Sequence, residues 1–235
     1  MSFIVIVLCL SVQWFLTLTV PRNYPWSDIY LNWMRKHFFS ITHDHRLFSF
    51  LFLVLPPVII GSFIFTIIYH LFGHLGYSVL SLVLLWYCVD IMFLKQTSAT
   101  QTSSSDLFLK SYQNIFAFLF WYFLFGPGGL IVYVVIAALS KHVIHQKYFV
   151  IAQGILDWIP VRLVGLSFAL AGNFSVAFKE WMRTLFHGIT DCQNQVVVLG
   201  KLAMSEEAGA GALIRRALII WVVVMGLFAL GGVIG

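Results

Sequence analysis

The chain has 235 residues, of which 60% are hydrophobic and only 10% are charged, and its mean hydropathy is +0.92. Soluble domains carry about a quarter charged residues, so this composition excludes an ordinary water-soluble domain. The net charge of +5 comes from Lys and Arg residues scattered between apolar runs. That distribution argues against a nucleic-acid partner, because nucleic-acid-binding proteins cluster their basic residues on one face.

Apolar runs of about one membrane thickness recur along the chain. A spanning helix needs about 20 mostly apolar residues, because the hydrocarbon layer is about 30 Å thick. Such runs are predicted at residues 1–20, 47–72, 77–94, 113–139, 148–172 and 213–235. The predicted fold class is therefore all-α: a polytopic membrane helical bundle of about four to six transmembrane helices, forming one integral domain with the lipid bilayer as its partner.

Three polar segments separate these runs. Residues 21–46 are predicted to form an interfacial segment, residues 95–112 a polar loop, and residues 173–212 a second segment of mixed polarity. These segments hold most of the Lys and Arg residues, and the side richer in Lys and Arg stays cytoplasmic. Both termini are therefore expected outside the cytoplasm.

A glycine-rich break interrupts the run at 113–139. Gly126, Pro127, Gly128 and Gly129 add backbone freedom and remove one donor, so this helix is predicted to be kinked or split into two half-helices. A re-entrant hairpin here, together with a run at 148–172 that stays within the bundle, would leave four crossings instead of six. The three glycines are candidate ligand-binding residues because broken helices present backbone groups at transporter sites. A kink that only permits close helix packing is the alternative.

Two ionisable residues lie within the apolar run at 148–172. Asp157 and Arg162 are candidate functional residues, because an ionised side chain in lipid is costly unless it is paired or solvated. Asp157 is predicted to be a helix N-cap, with Pro160 in the first turn and Arg162 reaching back towards that end. Such a helix start binds anions, so an anionic small molecule is the expected ligand. The alternative is an Asp–Arg ion pair that only fixes a helix break.

The sequence predicts neither a cofactor nor a metal site. It contains no Gly-rich phosphate loop, no Gly-x-Ser-x-Gly and no His-Glu-x-x-His. His70 and His74 are spaced to share one helical face, but no third ligand follows at a metal-binding spacing. The three cysteines lie too far apart along the chain to indicate a disulfide framework or a cysteine-rich metal site.

Two stretches resemble a known membrane-protein family. Residues 156–163 read Leu-Asp-Trp-Ile-Pro-Val-Arg-Leu and residues 167–174 read Ser-Phe-Ala-Leu-Ala-Gly-Asn-Phe, which is similar to the signature region of the AmpE family. AmpE proteins resemble the CbiB/CobD membrane proteins of cobalamin biosynthesis. That superfamily also has a Gly-Pro-Gly-Ala-Leu stretch followed by Tyr, similar to residues 126–130 and Tyr133 here. The similarity covers about residues 112–235.

The resemblance implies a multi-pass protein of the bacterial inner (cytoplasmic) membrane, associated with the signalling that controls β-lactamase induction during cell-wall stress. CbiB-type enzymes instead join an aminopropanol unit to a corrinoid carboxylate through an amide bond. Where those enzymes carry an acidic Asp-Gly, this chain has Gln113 and Asn114. The change removes a plausible metal ligand or general base, and it leaves the two amides as candidate ligand-binding residues.

The predicted function is therefore that of a non-enzymatic or vestigially enzymatic membrane sensor. Its candidate partners are a second copy of the chain, forming a homodimer, or another inner-membrane protein. One alternative is a CbiB-like amide-forming enzyme that uses Asp157, Arg162 and Asp191. The other is a small transporter, which only the break at Gly126 supports.

Overall fold

Helices make up almost all of the chain that the structure, a computed structural model, describes. The described residues are 2–15, 25–38, 46–91, 94, 103–142, 147–185, 188, 192–204 and 209–232. The helices are α1 (Ser2–Phe15), α2 (Pro25–Phe38), α3 (Arg46–Cys88), α4 (Ser104–Ser111), a π-helical segment (Tyr112–Phe116), α5 (Ala117–His142), α6 (Lys147–Ala171), α7 (Phe174–Thr184), α8 (Cys192–Ala203) and α9 (Ala210–Leu230). The predicted all-α helical bundle is confirmed.

Four of the described helical stretches are long and apolar enough to cross a membrane. They are Phe50–Cys88, Ser104–Ser140, Tyr148–Ala171 and Ala210–Leu230. Helix α1 is apolar but has only 14 residues, fewer than the roughly 20 that a full crossing needs, and residues 16–24 lie outside the described part of the chain. The protein is therefore a membrane protein whose bundle rests on these four stretches.

Helix α3 folds back on itself at Gly73. This glycine has φ 63° and ψ −152°, a conformation that other residues rarely adopt. The rings of Phe65 and Tyr77 have centroids only 5.5 Å apart, whereas 12 residues of straight helix span about 18 Å. The stretch is therefore a helix hairpin with legs at 46–72 and 74–88. The segment between the predicted runs 47–72 and 77–94 holds Gly73 and Gly76, and glycine permits such a tight reversal.

A second hairpin forms in α5 at Gly126, which has φ 62° and ψ −151°. Trp121 and Tyr133 are also 12 residues apart, yet their rings stack with centroids 6.5 Å apart. The predicted break near Gly126 is confirmed, and it splits the helix. Pro127 follows the glycine directly and starts the second leg, a position where its missing N–H removes no intrahelical hydrogen bond.

The two hairpins share a turn sequence and lie side by side. Each turn reads Leu-Phe-Gly-x-x-Gly, at residues 71–76 and at residues 124–129. A Cβ added to Gly126 would lie 3.8 Å from the Tyr77 hydroxyl oxygen of the other hairpin. The second leg of α3 thus meets the turn of α5. The outer surface of α3 is apolar: Phe63, Leu71 and Phe72 are 64%, 70% and 69% exposed.

The expected polar loop at 95–112 is partly wrong. Residues 104–111 form helix α4, which buries Leu107 and Phe108. The serine-rich sequence before these residues is typical of a loop, but the segment is a short amphipathic helix. Its Asp106 in the first turn and its Lys110 in the last turn interact favourably with the helix dipole. Residues 95–102 of the predicted loop lie outside the described part of the chain. Helix α4 leads without a break into the π-helical segment and then into the first leg of α5.

Edge-to-face aromatic contacts hold the inner helices together. Phe116 contacts Phe168 of α6 and Trp221 of α9, with ring centroids 6.0 and 5.3 Å apart, and Phe108 contacts Phe168 at 5.4 Å.

The predicted segment 173–212 contains helices α7 and α8. The indole of Trp181 in α7 donates to the Arg162 carbonyl at 2.8 Å, which docks α7 on α6.

Candidate functional site

Asp157 is the centre of a buried hydrogen-bond network. Its side chain is 1% exposed. One carboxylate oxygen, Oδ1, accepts from the hydroxyls of Tyr112 at 2.6 Å and Tyr133 at 2.9 Å. The other, Oδ2, accepts from the amides of Gln153 and Gln193, both at 3.0 Å. All four partners act as donors, which is the arrangement that an ionised, acceptor-only carboxylate requires.

The hairpin at Gly126 creates half of this network. Tyr112 and Tyr133 are 21 residues apart and would be separated by about 32 Å in one straight helix. Because the chain reverses at Gly126, both hydroxyls reach the same oxygen of Asp157. Gln153 lies one helical turn before Asp157 on α6, so its amide reaches the carboxylate along the same helical face.

The π-helical segment carries further polar residues of the site. It covers Tyr112–Phe116 and therefore carries Gln113 and Asn114 together with the first tyrosine. The Gln113 amide donates to Gln193 Oε1 at 2.8 Å, and the Asn114 carbonyl accepts from the Asp90 backbone N–H at 3.0 Å. Short π-helical segments are rare and frequent at functional sites, because the extra residue per turn changes the direction of the side chains.

A polar cavity of about 160 Å³ lies next to this network. Its buried floor is formed by Phe118 and Tyr133, which are each 2% exposed, while the polar side chains at its rim are partly exposed. The full lining consists of Gln113, Asn114, Phe118, Tyr133, Ala137, Ser140, Gln153 and Gln193. Among the described residues of this lining, none carries a charge, and Asp157 is connected to the cavity through Tyr133, Gln153 and Gln193, which hydrogen-bond its carboxylate.

Arg162 does not pair with Asp157. Its Nε donates to the Leu185 carbonyl at 2.7 Å and its Nη1 to the Trp158 carbonyl at 2.8 Å. The guanidinium also lies 4.0 Å from the centroid of the Trp158 ring. Residues five apart on a helix are about 140° apart around its axis, so Asp157 and Arg162 face different neighbours. The expected Asp–Arg pair is wrong.

The predicted helix start at Asp157 is also wrong. Helix α6 begins at Lys147 and runs without interruption to Ala171, so Asp157 and Pro160 both lie in its interior. No free helix N-terminus exists there to bind an anion. Pro160 is buried but does not line the cavity, and the physical basis for an anionic ligand at this position is lost.

The candidate glycines form the hairpin turn. Gly126, Gly128 and Gly129 do not line the polar cavity. A Cβ on Gly129 would lie 2.7 Å from the Trp121 carbonyl oxygen, so this glycine permits close packing of the turn, whereas nothing lies within 4 Å of a Cβ on Gly128. The turn positions the tyrosines of the site and does not itself contribute to its surface.

Of the sequence-predicted residues, the structure brings together Asp157, Gln113 and Asn114. It adds Tyr112, Tyr133, Gln153 and Gln193, none of which we singled out as a site residue. Gln153 was detectable from its spacing of four before Asp157, and Tyr133 lies in the stretch similar to the CbiB superfamily. Nothing in the sequence marks Gln193. Asp191 lies outside the described residues, and within them no three His, Cys, Asp or Glu side chains form a metal-binding group.

Comparison with known proteins identifies the family. The sequence model of the family described as regulatory signalling modulator protein AmpE matches residues 96–233. This range contains the second hairpin, α6, α8 and α9, and therefore every residue of the Asp157 network. No curated protein and no solved structure shows significant similarity to the chain. Because the match spans more than half of its length, the protein belongs to the AmpE family of regulatory signalling modulators.

Proposed function

We propose that the protein is an inner-membrane regulator that links cell-wall stress to β-lactamase induction without catalysing a reaction. The family match supports a regulatory membrane role. The observation that carries the proposal is the state of Asp157: both carboxylate oxygens already accept two hydrogen bonds each. Such a group has to give up a donor before it can take a proton, which is unfavourable for a general base.

The composition of the cavity supports the same proposal. The described residues that line the cavity include no carboxylate that could act together with Asp157. Gln113 lines the cavity and donates a hydrogen bond to Gln193. An amide-forming enzyme needs a group that accepts a proton from the attacking amine, and side-chain amides do not do so. The site is suited to holding a molecule and to reporting its presence.

Transmission of the signal requires a partner. We propose that this partner is another inner-membrane protein or a second copy of the chain. The Asp157 network joins the π-helical segment, the hairpin of α5, helix α6 and helix α8. A change at the cavity therefore acts on all of these elements at once, which is the kind of connection that a regulatory protein needs.

The test measures β-lactamase induction. A Gram-negative host with inducible β-lactamase that lacks its own AmpE-family gene receives the wild-type gene, the Asp157→Asn gene or an empty vector. Asp106→Asn is the matched control, because it makes the same substitution at an exposed aspartate. Membrane levels are equalised by immunoblotting, and nitrocefin hydrolysis is measured after exposure to a β-lactam.

We expect the wild-type and Asp106→Asn genes to change induction by the same factor, and Asp157→Asn to behave as the empty vector. Equal induction in all four strains would refute the regulatory role. A second strain tests the absence of catalysis: it lacks the corrinoid amide-forming step, and growth without added cobinamide when it carries the wild-type gene would overturn that part of the proposal.

A further inference from the structure

Gln153, which lines the polar cavity, carries an acceptor that no part of the described chain satisfies. The Gln153 amide nitrogen donates to Asp157 Oδ2 at 3.0 Å and approaches the Tyr133 hydroxyl at 3.3 Å. These contacts fix the orientation of the amide, because the opposite orientation would place its oxygen against the carboxylate. Gln153 Oε1 is buried and has no hydrogen-bond partner. Since buried polar groups are nearly always satisfied, this oxygen lacks a donor that a molecule in the adjoining cavity can supply.

The electric charge of the site determines what kind of donor fits. All four groups that bind Asp157 are neutral hydroxyls or amides. Among the described residues that line the cavity there is no Lys, Arg or His, so no cation there offsets the carboxylate. A buried negative charge that only neutral dipoles stabilise attracts a cation and repels an anion, more strongly than it would in water.

The floor of the cavity favours the same ligand. Phe118 and Tyr133 meet edge to face, with ring centroids 5.5 Å apart, and aromatic rings attract cations. Ser140 at the rim donates its hydroxyl proton to the Ala137 carbonyl at 3.0 Å, so its oxygen is left as an acceptor. The volume of about 160 Å³ corresponds to about five water molecules, which is enough for a small molecule or for one end of a larger one.

We propose that this cavity binds a small molecule through a protonated primary amine, which donates to Gln153 Oε1 within the field of Asp157. This proposal names the class of ligand for the proposed regulatory function. The physiological meaning of the binding rests on that function, but the binding itself does not. The protonated amine replaces the anionic ligand expected from the sequence, since that expectation depended on a helix start at Asp157.

Binding is tested with three probes of nearly equal size and different charge: ethanolamine, ethylene glycol and glycolate. Each is titrated into the purified full-length protein in detergent at constant pH and ionic strength, and the midpoint of thermal unfolding is followed. A ligand that binds the folded protein raises this midpoint in a saturable way. For a ligand of about four heavy atoms, the apparent Kd is expected in the millimolar range.

We expect ethanolamine to give a saturable rise and to bind at least about tenfold more tightly than ethylene glycol, a ratio typical of one added charge-assisted contact. Glycolate should give no saturable rise. If ethylene glycol or glycolate matches ethanolamine, or if ethanolamine produces no saturable rise, the proposal is overturned. This comparison uses only the wild-type protein, so it does not depend on whether any variant folds.

Two variants then locate the site. Gln153→Met removes the unsatisfied acceptor and should weaken ethanolamine binding at least about tenfold. Gln195→Met is the matched control, because Gln195 lies on α8 and does not line the cavity. Equal weakening in both variants would place the amine elsewhere and refute the site. Amine binding without any effect on β-lactamase would refute the proposed function alone, whereas altered induction without amine binding would refute the ligand class alone.

Discussion

Replacement of Gly126 by alanine tests whether the hairpin depends on its backbone conformation. Gly126 has φ 62° and ψ −151°, a region that is populated almost only by glycine, and a non-glycine residue held in such a region costs about 1–3 kcal/mol. A Cβ added there would meet only the Tyr77 hydroxyl oxygen, at an ordinary contact distance of 3.8 Å. The whole expected loss in the free energy of unfolding is therefore backbone strain, about 1–3 kcal/mol.

Gly128→Ala is the matched control, two residues further along the same turn. Gly128 does not have a positive φ, and nothing lies within 4 Å of an added Cβ. We expect this variant to change stability by less than about 1 kcal/mol, in the stabilising direction, because alanine restricts the unfolded chain more than glycine does. The free energy of unfolding is measured in mixed detergent micelles by circular dichroism. Equal effects of the two substitutions would refute the argument from backbone conformation.

Two further substitutions test the packing around the site. Tyr133→Phe removes one hydrogen bond to Asp157 and should lower the free energy of unfolding by about 1–2 kcal/mol. The control Tyr69→Phe, at a tyrosine that is 42% exposed, should change it by less than about 0.5 kcal/mol. Similar losses in both variants would argue against the network. Gly165→Leu should destabilise the protein by about 1–3 kcal/mol in the same assay, because even a Cβ there would overlap Leu199 of α8. An unchanged stability would mean that α6 and α8 do not pack this closely.

The helices and the broken turn could be predicted because they follow from local composition. Lipid leaves no water to satisfy the backbone, so long apolar runs become helices, and glycine pairs mark their reversals. The repeated Leu-Phe-Gly-x-x-Gly, at 71–76 and 124–129, was readable in the sequence and would have indicated that both breaks are hairpins. Helix α4 was missed because serine composition outweighed the two apolar residues that it buries.

The error at Asp157 has a physical cause. Aspartate followed by proline is a good helix start in water, and this rule placed the N-cap there. In an apolar run the backbone gains more from continuing the helix, so α6 passes through Asp157 and Pro160 from Lys147 to Ala171. The aspartate was then assumed to pair with Arg162, although a spacing of five residues turns the two side chains to different faces.

The donors to Asp157 could not be predicted from the sequence, because they come from distant parts of the chain. Tyr112 is 45 residues away and Gln193 is 36 residues away, and each reaches the carboxylate only through the packing of helices. The π-helical segment adds a change of register that no periodicity reveals. Only Gln153, four residues away on α6, lies within the range where spacing on one helix is informative.

The choice of neutral donors around Asp157 has a consequence for how the protein responds to a ligand. An arginine in the network would neutralise the carboxylate permanently and make the site insensitive to a second cation. Two hydroxyls and two amides stabilise the charge but leave its field in the cavity. Because the same four groups belong to the π-helical segment, α5, α6 and α8, the proposed cation would also alter the contacts between those elements. Under the proposed amine binding, the network would both select the ligand by its charge and transmit its binding to the rest of the bundle.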